Sequence, residues 1–452
     1  MQFRPWFQSV IVLLFLALLG PVIASAGEQD NAAVSPTVSL EEAVRTALSN
    51  AREVRLAVQD VRITAEGKTR AQAGWLPRMD ASSDYTSLSE PPSAFIMGLP
   101  QQTADKNIWR ARVTAEQTIY DFGRTRSRVD QAQARVETAE KVEGLTRERQ
   151  ALDVISAFLA ARRAEELRQV AEESLAAAKD HRRVAGDQYE FGVVAKNDVL
   201  AADVQVANAE SVLIVAENQV ELSRSRLALR MGYSGDRSVT PAKGPFTAPQ
   251  DGLPPMSESL RAALGKRSEL QAQDASIREG EAALAGAKSE FAPTFFGQGG
   301  YQYEANDLNP HKSVFSLVLG GKVNLFSGFS DEAAKRQALL SVDRRKESLS
   351  KLRDEIALEV KAAHLFVAEA EKRKAVAEVA VARGEENLRI QNDRYMEGLA
   401  ISTEVLDAQT LLTRAKVDRQ NAAYDFFEAR YRLLAARGEL LEFLNPLIGA
   451  GR

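Results

Sequence analysis

The chain has 452 residues and no cysteine. That excludes disulfide cross-links, thiolate metal sites, a cysteine nucleophile and acylation at a lipobox cysteine. Histidine is nearly absent as well. His181, His311 and His364 stand too far apart in sequence to suggest a ligand cluster, so neither a metal site nor a cofactor is expected. A charge excess is also missing. With 58 basic and 62 acidic residues the formal net charge is -4, which argues against a nucleic-acid partner held by a basic field. Nucleophile and phosphate motifs fail on inspection. Gly232-Tyr233-Ser234-Gly235-Asp236 carries Asp236 where a nucleophile elbow needs glycine, and Gly320-Gly321-Lys322 lacks the upstream glycine and following Ser or Thr of a P-loop. No enzyme is expected.

Long apolar runs are missing except at the start. Arg4 precedes the run Val10 to Leu19, followed by Pro21 and the small triplet Ala24-Ser25-Ala26. This pattern predicts a signal peptide over 1–26, cut after Ala26. An uncleaved anchor helix is the weaker alternative, because the run is short for a bilayer span. No later stretch reaches about 18 consecutive apolar residues. An exported chain of this kind is periplasmic, extracellular or an outer-membrane barrel.

Proline, too, is absent where it would matter most. None of the 15 prolines falls between 101 and 240, or between 311 and 445. Those spans are rich in Ala, Glu, Arg, Lys, Gln and Leu, all strong helix formers. Apolar residues recur in them at spacings of three and four, as in Val129, Ala132, Val136, Ala139, Val142 and Leu145. A helix from Phe122 to Glu190 would be roughly 100 Å long at 1.5 Å per residue. A compact domain has no use for it, so the chain builds something tall.

The chain also repeats itself. Glu53-Val54 and Pro77 return as Glu269-Leu270 and Pro293, each 216 positions on; Ile119-Tyr120, Tyr189, Gly192, Val199-Leu200 and Gly232 return 206 positions on. The lost ten residues lie between Pro77 and Ile119, so one hairpin loop is longer in the first half. Segment 233–258, with five prolines and three glycines, reads as a linker. The expected layout is a first repeat over 27–232, a second over 259–445 and a tail over 446–452.

Each repeat reads helix, strand, strand, long helix, helix. Ser39-Leu40-Glu41-Glu42 is a capping box opening the first helix, which is expected to run to Pro77. The period then changes to two. Trp109, Ala111 and Val113 alternate with Arg110, Arg112 and Thr114, while Phe315, Leu317 and Leu319 alternate with Ser316 and, past an apolar exception at Val318, Lys322. These strands belong to hairpins near 79–118 and 294–325, each strand about ten residues long, enough to cross a bilayer as a tilted β-strand. Trp109, Ala111, Val113, Phe315, Leu317 and Leu319 are the lipid-facing candidates. Alternation alone also fits a soluble sheet, but aromatics on one face of an exported chain favour the membrane. Four strands cannot close a barrel and open edges are not tolerated in lipid, so several chains must share one barrel.

Ile119-Tyr120-Asp121-Phe122-Gly123-Arg124 resembles the strand-to-helix junction of TolC-like outer-membrane efflux proteins. Tyr189-Glu190-Phe191-Gly192-Val193-Val194-Ala195 and Tyr395-Met396-Glu397-Gly398-Leu399-Ala400 resemble that family's helix turns, and Arg226 to Gly232 its closure of the first half. Each motif is weak alone; their joint spacing, in order and twice over, is specific. The resemblance implies an α+β, mainly α fold, in which a long α-helical barrel of coiled-coil-like hairpins continues into a transmembrane β-barrel completed by oligomerisation. It further implies a homotrimer in the outer membrane of a Gram-negative bacterium, extending into the periplasm. There it would be the exit duct of a tripartite efflux pump or type I secretion system, with a periplasmic adaptor (membrane fusion) protein and an inner-membrane pump of RND, ABC or MFS type. A periplasmic adaptor, or a coiled-coil scaffold without a pore, is the alternative.

Carried over residue by residue, Gly192, Val193, Gly398 and Leu399 become adaptor-docking tips. Glu404 and Asp407 become an acidic pair lining a periplasmic gate, and Asp198 with Tyr395 a hydrogen-bonded link that holds it closed. The simpler reading of the acids is as N-terminal helix carboxylates. The chain departs from the family at Ala400, where the best-known members carry an arginine in the lock.

Overall fold

A computed structural model describes residues 36–244, 249 and 252–449; the expected signal peptide lies outside the described residues. After a short strand β1 (Thr37–Val38) come helices α1 (Leu40–Asn50) and α2 (Arg52–Gln72), strand β2 (Arg78–Ser87), a hairpin of β3 (Ser93–Ile96) and β4 (Leu99–Gln102), and strand β5 (Asn107–Tyr120). Helices α3 (Arg124–Glu190) and α4 (Lys196–Arg230) follow, then the short strand β6 (Thr240–Pro241), which pairs in parallel with β1. The second half has helices α5 (Met256–Lys266) and α6 (Ser268–Ser289), strands β7 (Thr294–Ala305) and β8 (Ser313–Lys322), and helices α7 (Ser330–Met396), α8 (Ser402–Ala436) and α9 (Leu440–Gly449). The long helices match in length, 67 residues for α3 and α7 and 35 for α4 and α8.

The capping box forms as the sequence predicts. Ser39 Oγ accepts from the Glu42 backbone N–H at 3.1 Å, and Glu42 Oε2 accepts from the Ser39 N–H at 3.0 Å. The helix it opens does not run unbroken to Pro77, however. It breaks at the buried Ala51, whose ψ of 135° is extended, and the equivalent break in the second half falls at Arg267. The cause lies far away in sequence. Gly232, at φ +90°, lays its backbone on the break so closely that a Cβ would sit 2.6 Å from the Asn50 carbonyl oxygen. Gly438, at φ +70°, does the same over Lys266 and Arg267. A second difference is at the C-terminus, where α9 continues through Pro446 and buries Leu440 and Leu444.

The sheet order is β2-β5-β7-β8, antiparallel throughout. Among the described residues, both outer strands, β2 and β8, leave one edge unpaired. The extra residues of the first repeat form β3 and β4, a hairpin the sequence reading did not foresee. Its tight turn puts Met97 at φ +51° and Gly98 at φ +82°.

Sheet order carries over into the helices. Beside the sheet the helices lie in the order α2, α3, α6, α7, and beside the far turns in the order α4, α3, α8, α7. Ion pairs mark these contacts: Arg135 to Glu279 at 2.8 Å joins α3 to α6, Arg182 to Asp203 at 2.9 Å joins α3 to α4, and Lys416 to Glu173 at 2.7 Å joins α8 to α3. Most of this wall is one helix thick and rich in alanine. The large core side chains gather instead near the helix breaks, where Leu40, Val44, Ile155, Phe158, Leu227 and Tyr431 are fully buried together.

Charge is buried at the same level. Arg267 donates to Glu269 at 2.7 and 2.8 Å and to Glu359. Glu148 of α3 faces this group with a buried Oε1 that has no hydrogen-bond partner. Burial, then repulsion from Glu269, pushes its carboxyl up to about 7 against the pull of Arg267, with Glu359 adding repulsion. A raised carboxyl stabilises the fold when protonated, and that contribution is lost as pH rises through about 7.

Two outcomes follow from these contacts. Glu148→Gln should flatten the fall in melting temperature as pH rises from about 4.5 to about 7; an unchanged slope would mean Glu148 stays ionised. Gly398→Ala should cost about 1 kcal/mol, since a left-handed backbone is strained for alanine but the space is open. Gly232→Ala meets backbone as well and should lower the melting temperature further; equal losses would show that the close approach is not rigid.

Candidate functional site

At the far end of the wall, two turns join long helices to shorter ones. Both close in the same way. Gly192, at φ +71°, donates its N–H to the Tyr189 carbonyl at 2.9 Å while Val193 donates to Gln188 at 2.9 Å. Gly398, also at φ +71°, donates to Tyr395 at 3.1 Å and Leu399 to Arg394 at 2.8 Å. A left-handed glycine with paired return bonds ends each helix sharply. Val193 and Leu399 are thereby left exposed, along with Phe191 and Met396.

The candidate gate acids lie just past these turns. Asp198 and Glu404 occupy the same place in the first turn of α4 and α8, their N–H groups bonded to Ala195 and Ile401 at 3.0 Å each. Asp407, one turn on, is exposed. Glu404 is not free. Arg394 of α7 donates to it at 3.3 Å, and to the Leu399 carbonyl at 3.2 Å and Gln391 at 3.0 Å. The sequence reading passed over Arg394, which lies six positions before Ala400.

Tyr395 behaves differently from expectation. It is only 2 % exposed, and its hydroxyl is not hydrogen-bonded to Asp198; it lies instead beside the Ser402 hydroxyl. Burial raises the phenol's pKa first and the nearby Asp198 charge raises it further. Beside it sits His181 of α3, a residue the sequence reading gave no role. The two rings are 5.2 Å apart, and His181 Nε2 lies 2.9 Å from Ser402 Oγ at the start of α8. Both His181 and Ser402 are buried. A cavity of about 240 Å³ opens next to them, lined in part by Asp180, His181, Asn392, Tyr395 and Gln409. No sequence signal marks this group, because His181 has Asn387 as its repeat counterpart and Ser402 has Lys196.

At the other end, strand register collects the six candidate lipid-facing residues on one face. Ala111 lies opposite Tyr303, Val113 opposite Tyr301, Tyr301 opposite Phe315, and Leu317 and Leu319 opposite Gly299 and Gly297. Leu317 is 70 % and Leu319 74 % exposed over those glycines. Trp109 completes the face, edge-on to Tyr303 at 5.7 Å. The opposite face is polar, with Arg110 to Glu304 at 3.0 Å and Arg112 to Gln302 at 2.9 Å.

Where the sheet meets the helices, Phe122 and Phe329 hold left-handed backbone at φ +53° and +66°. Asp121 fixes the first of these, accepting from Thr125 N at 2.7 Å and Thr125 Oγ1 at 2.6 Å. Among the described residues, no group of three or more His, Asp or Glu is placed to hold a metal ion.

No curated protein sequence matches the chain significantly. Solved structures do. An outer membrane protein of Vibrio cholerae, VceC, superposes with a TM-score of 0.77 at 18 % identity, covering 88 % of this chain and 96 % of its own. The CmeC outer membrane channel of Campylobacter jejuni gives 0.77 at 14 % identity, with coverage of 96 % and 97 %. A membrane protein of Pseudomonas aeruginosa gives 0.78 at 17 % identity, with coverage of 92 % and 100 %. At such identities the likeness is one of fold. The sequence model of the family described as outer membrane efflux protein matches residues 43–233 and 259–439, one segment on each repeat. The chain belongs to the outer membrane efflux protein family, a family of outer-membrane channels.

Proposed function

We propose that three copies of the chain form the exit duct of a tripartite efflux pump or type I secretion system, a passive conduit opened when a periplasmic adaptor and an inner-membrane pump dock. The observation that carries this reading is that the chain is unfinished along both long sides. In the sheet, β2 and β8 each present an open edge, which lipid does not tolerate. Pairing β8 of one copy with β2 of the next removes every edge, and three copies give a closed barrel of twelve strands, within the range of membrane barrels.

The helical wall is unfinished in the same sense. Along α4 the exposed residues Leu200, Val204, Ile214, Leu222 and Leu229 fall on one stripe at heptad-like spacings. On the opposite edge, α7 exposes Leu358, Leu365, Val376, Val379 and Ile390 with the same rhythm. Helix α4 is long and apolar enough to cross a membrane by length and composition, yet its other face already packs on α3. A neighbouring copy's α7 is the partner that fits the exposed stripe.

Function then divides along the axis. Trp109, Ala111, Val113, Phe315, Leu317 and Leu319 face outer-membrane lipid. Gly192, Val193, Gly398 and Leu399 form the tips that meet the adaptor. Asp198, Tyr395, Glu404 and Asp407 surround the periplasmic gate, where Asp407 supplies the freer charge because Arg394 pairs with Glu404.

Charge on a barrel's lipid face costs roughly 2–4 kcal/mol near the midplane. Leu317→Arg should therefore cut the yield of heat-modifiable trimer in the outer membrane, while Ser316→Arg on the polar face should not. Equal tolerance, or a soluble periplasmic monomer, would overturn the channel and favour a scaffold. At the gate, Asp407→Asn should remove most of the block of single-channel current by multivalent cations added from the periplasmic side, and Glu404→Gln should remove less. Block that survives both changes would place the constriction elsewhere.

A further inference from the structure

Among the described residues of the gate region, one buried side-chain pair joins the two repeats, beside a longer Gln188 Nε2 contact to the Tyr395 carbonyl at 3.4 Å. This pair has no counterpart by repetition. His181 Nε2 meets Ser402 Oγ at 2.9 Å, tying α3 of the first repeat to the first residue of α8 in the second. Helix α8 has no side-chain cap at its start, and Ser402 lies two residues before Glu404. Whatever holds Ser402 therefore also places the acidic side chains of the next turn. The Tyr395 ring packs against the imidazole from the α7 side, tilted by 48° at 5.2 Å. The cavity alongside leaves room for the ring to leave this position without displacing backbone.

We propose that His181 is a positioning residue for the periplasmic aperture: its bond to Ser402 clasps the start of α8 to α3, and protonation of the ring releases that clasp. This rests on the channel reading above. A neutral imidazole can accept the Ser402 hydroxyl proton; a protonated one has only donors, so Ser402 must turn away or serve as acceptor alone. The larger effect is burial of a new charge.

The ionisable groups facing the ring are Asp180 on its own helix, Asp198 on α4 and Tyr395 on α7; α8 presents Ser402, Val405 and Gln409, none of them acidic or basic. Burial outweighs the attraction of the two aspartates and holds the imidazole below its ordinary value of 6.5. A histidine depressed in the clasped state binds protons more tightly once released, so acid favours release. The clasp is complete at neutral pH and lost as pH falls below the usual histidine range.

The test uses the full chain reconstituted in planar bilayers, with pH lowered from 7.5 to 5 on the periplasmic side only. Resting conductance of the parent should rise severalfold across that range. His181→Asn, whose amide can still accept the serine proton but cannot titrate, should stay at the low neutral value throughout. Ser402→Ala should show raised conductance already at pH 7.5. A parent that does not respond to acid, or a His181→Asn channel that responds as the parent does, overturns the clasp while leaving the duct intact. A parent that forms no channel, or one without a low-conductance resting state, overturns the duct reading itself.

Should either variant fail to assemble, the parent can be read directly. The chain has three histidines, so carbon-13 labelling of the imidazole gives three signals per chain in detergent. One should titrate together with the conductance. Three signals that all titrate out of step with it would also refute the clasp.

Discussion

A strand in lipid must have all its backbone hydrogen bonds satisfied, and this chain leaves the outer edges of β2 and β8 unsatisfied. Much of the architecture follows from that single requirement. Because each strand runs into a helix, the strand order β2-β5-β7-β8 becomes the helix order α2, α3, α6, α7 without a crossing. The demand for a neighbour made at the sheet is therefore passed down the wall, where α4 and α7 carry exposed apolar stripes on opposite edges. In the proposed assembly, hydrogen bonding would set the neighbours at one end, and heptad packing would keep the same neighbours at the other.

Between those ends lies a different kind of structure. The wall thickens where α1 and α2, and likewise α5 and α6, break beneath Gly232 and Gly438. Short helices leave the wall there and enclose the large side chains Phe158, Tyr431 and Leu440. The second repeat makes its break charged, with Arg267 in the place of the buried Ala51, and so requires Glu269 and Glu359 to neutralise it. Glu148 is the remaining carboxyl, and its burial first, then repulsion from Glu269, makes it resist ionisation.

Local rules accounted for the elements they govern. The capping box at Ser39, the proline-free helices, the alternation along β5 and β8 and the glycine turns at Gly192 and Gly398 depend on neighbours in sequence, and all were legible there. Most of the misses share a long-range cause. Ala51 and Arg267 interrupt helices because a glycine about 180 residues away lies across them, and no local signal announces it. Tyr395 was expected on Asp198, but the fold buries it against His181 instead. Glu404 looked like a free acid because Arg394 belongs to a different helix. The β3–β4 hairpin was visible only as surplus length, since its short strands carry no alternation worth the name.

In the proposed trimer, the equal helix lengths of the two repeats would place six nearly equivalent hairpins around one bore. An iris of six identical blades would have no reason to move any three before the others. The His181–Ser402 link supplies that reason, for it exists only between α3 and α8 of a chain, and its mirror positions are occupied by Asn387 and Lys196. In that trimer, sixfold likeness in the backbone would be reduced to threefold symmetry by side chains. If the proposed clasp gates the duct, the second-repeat hairpins would be the blades and the first-repeat hairpins the frame against which they turn.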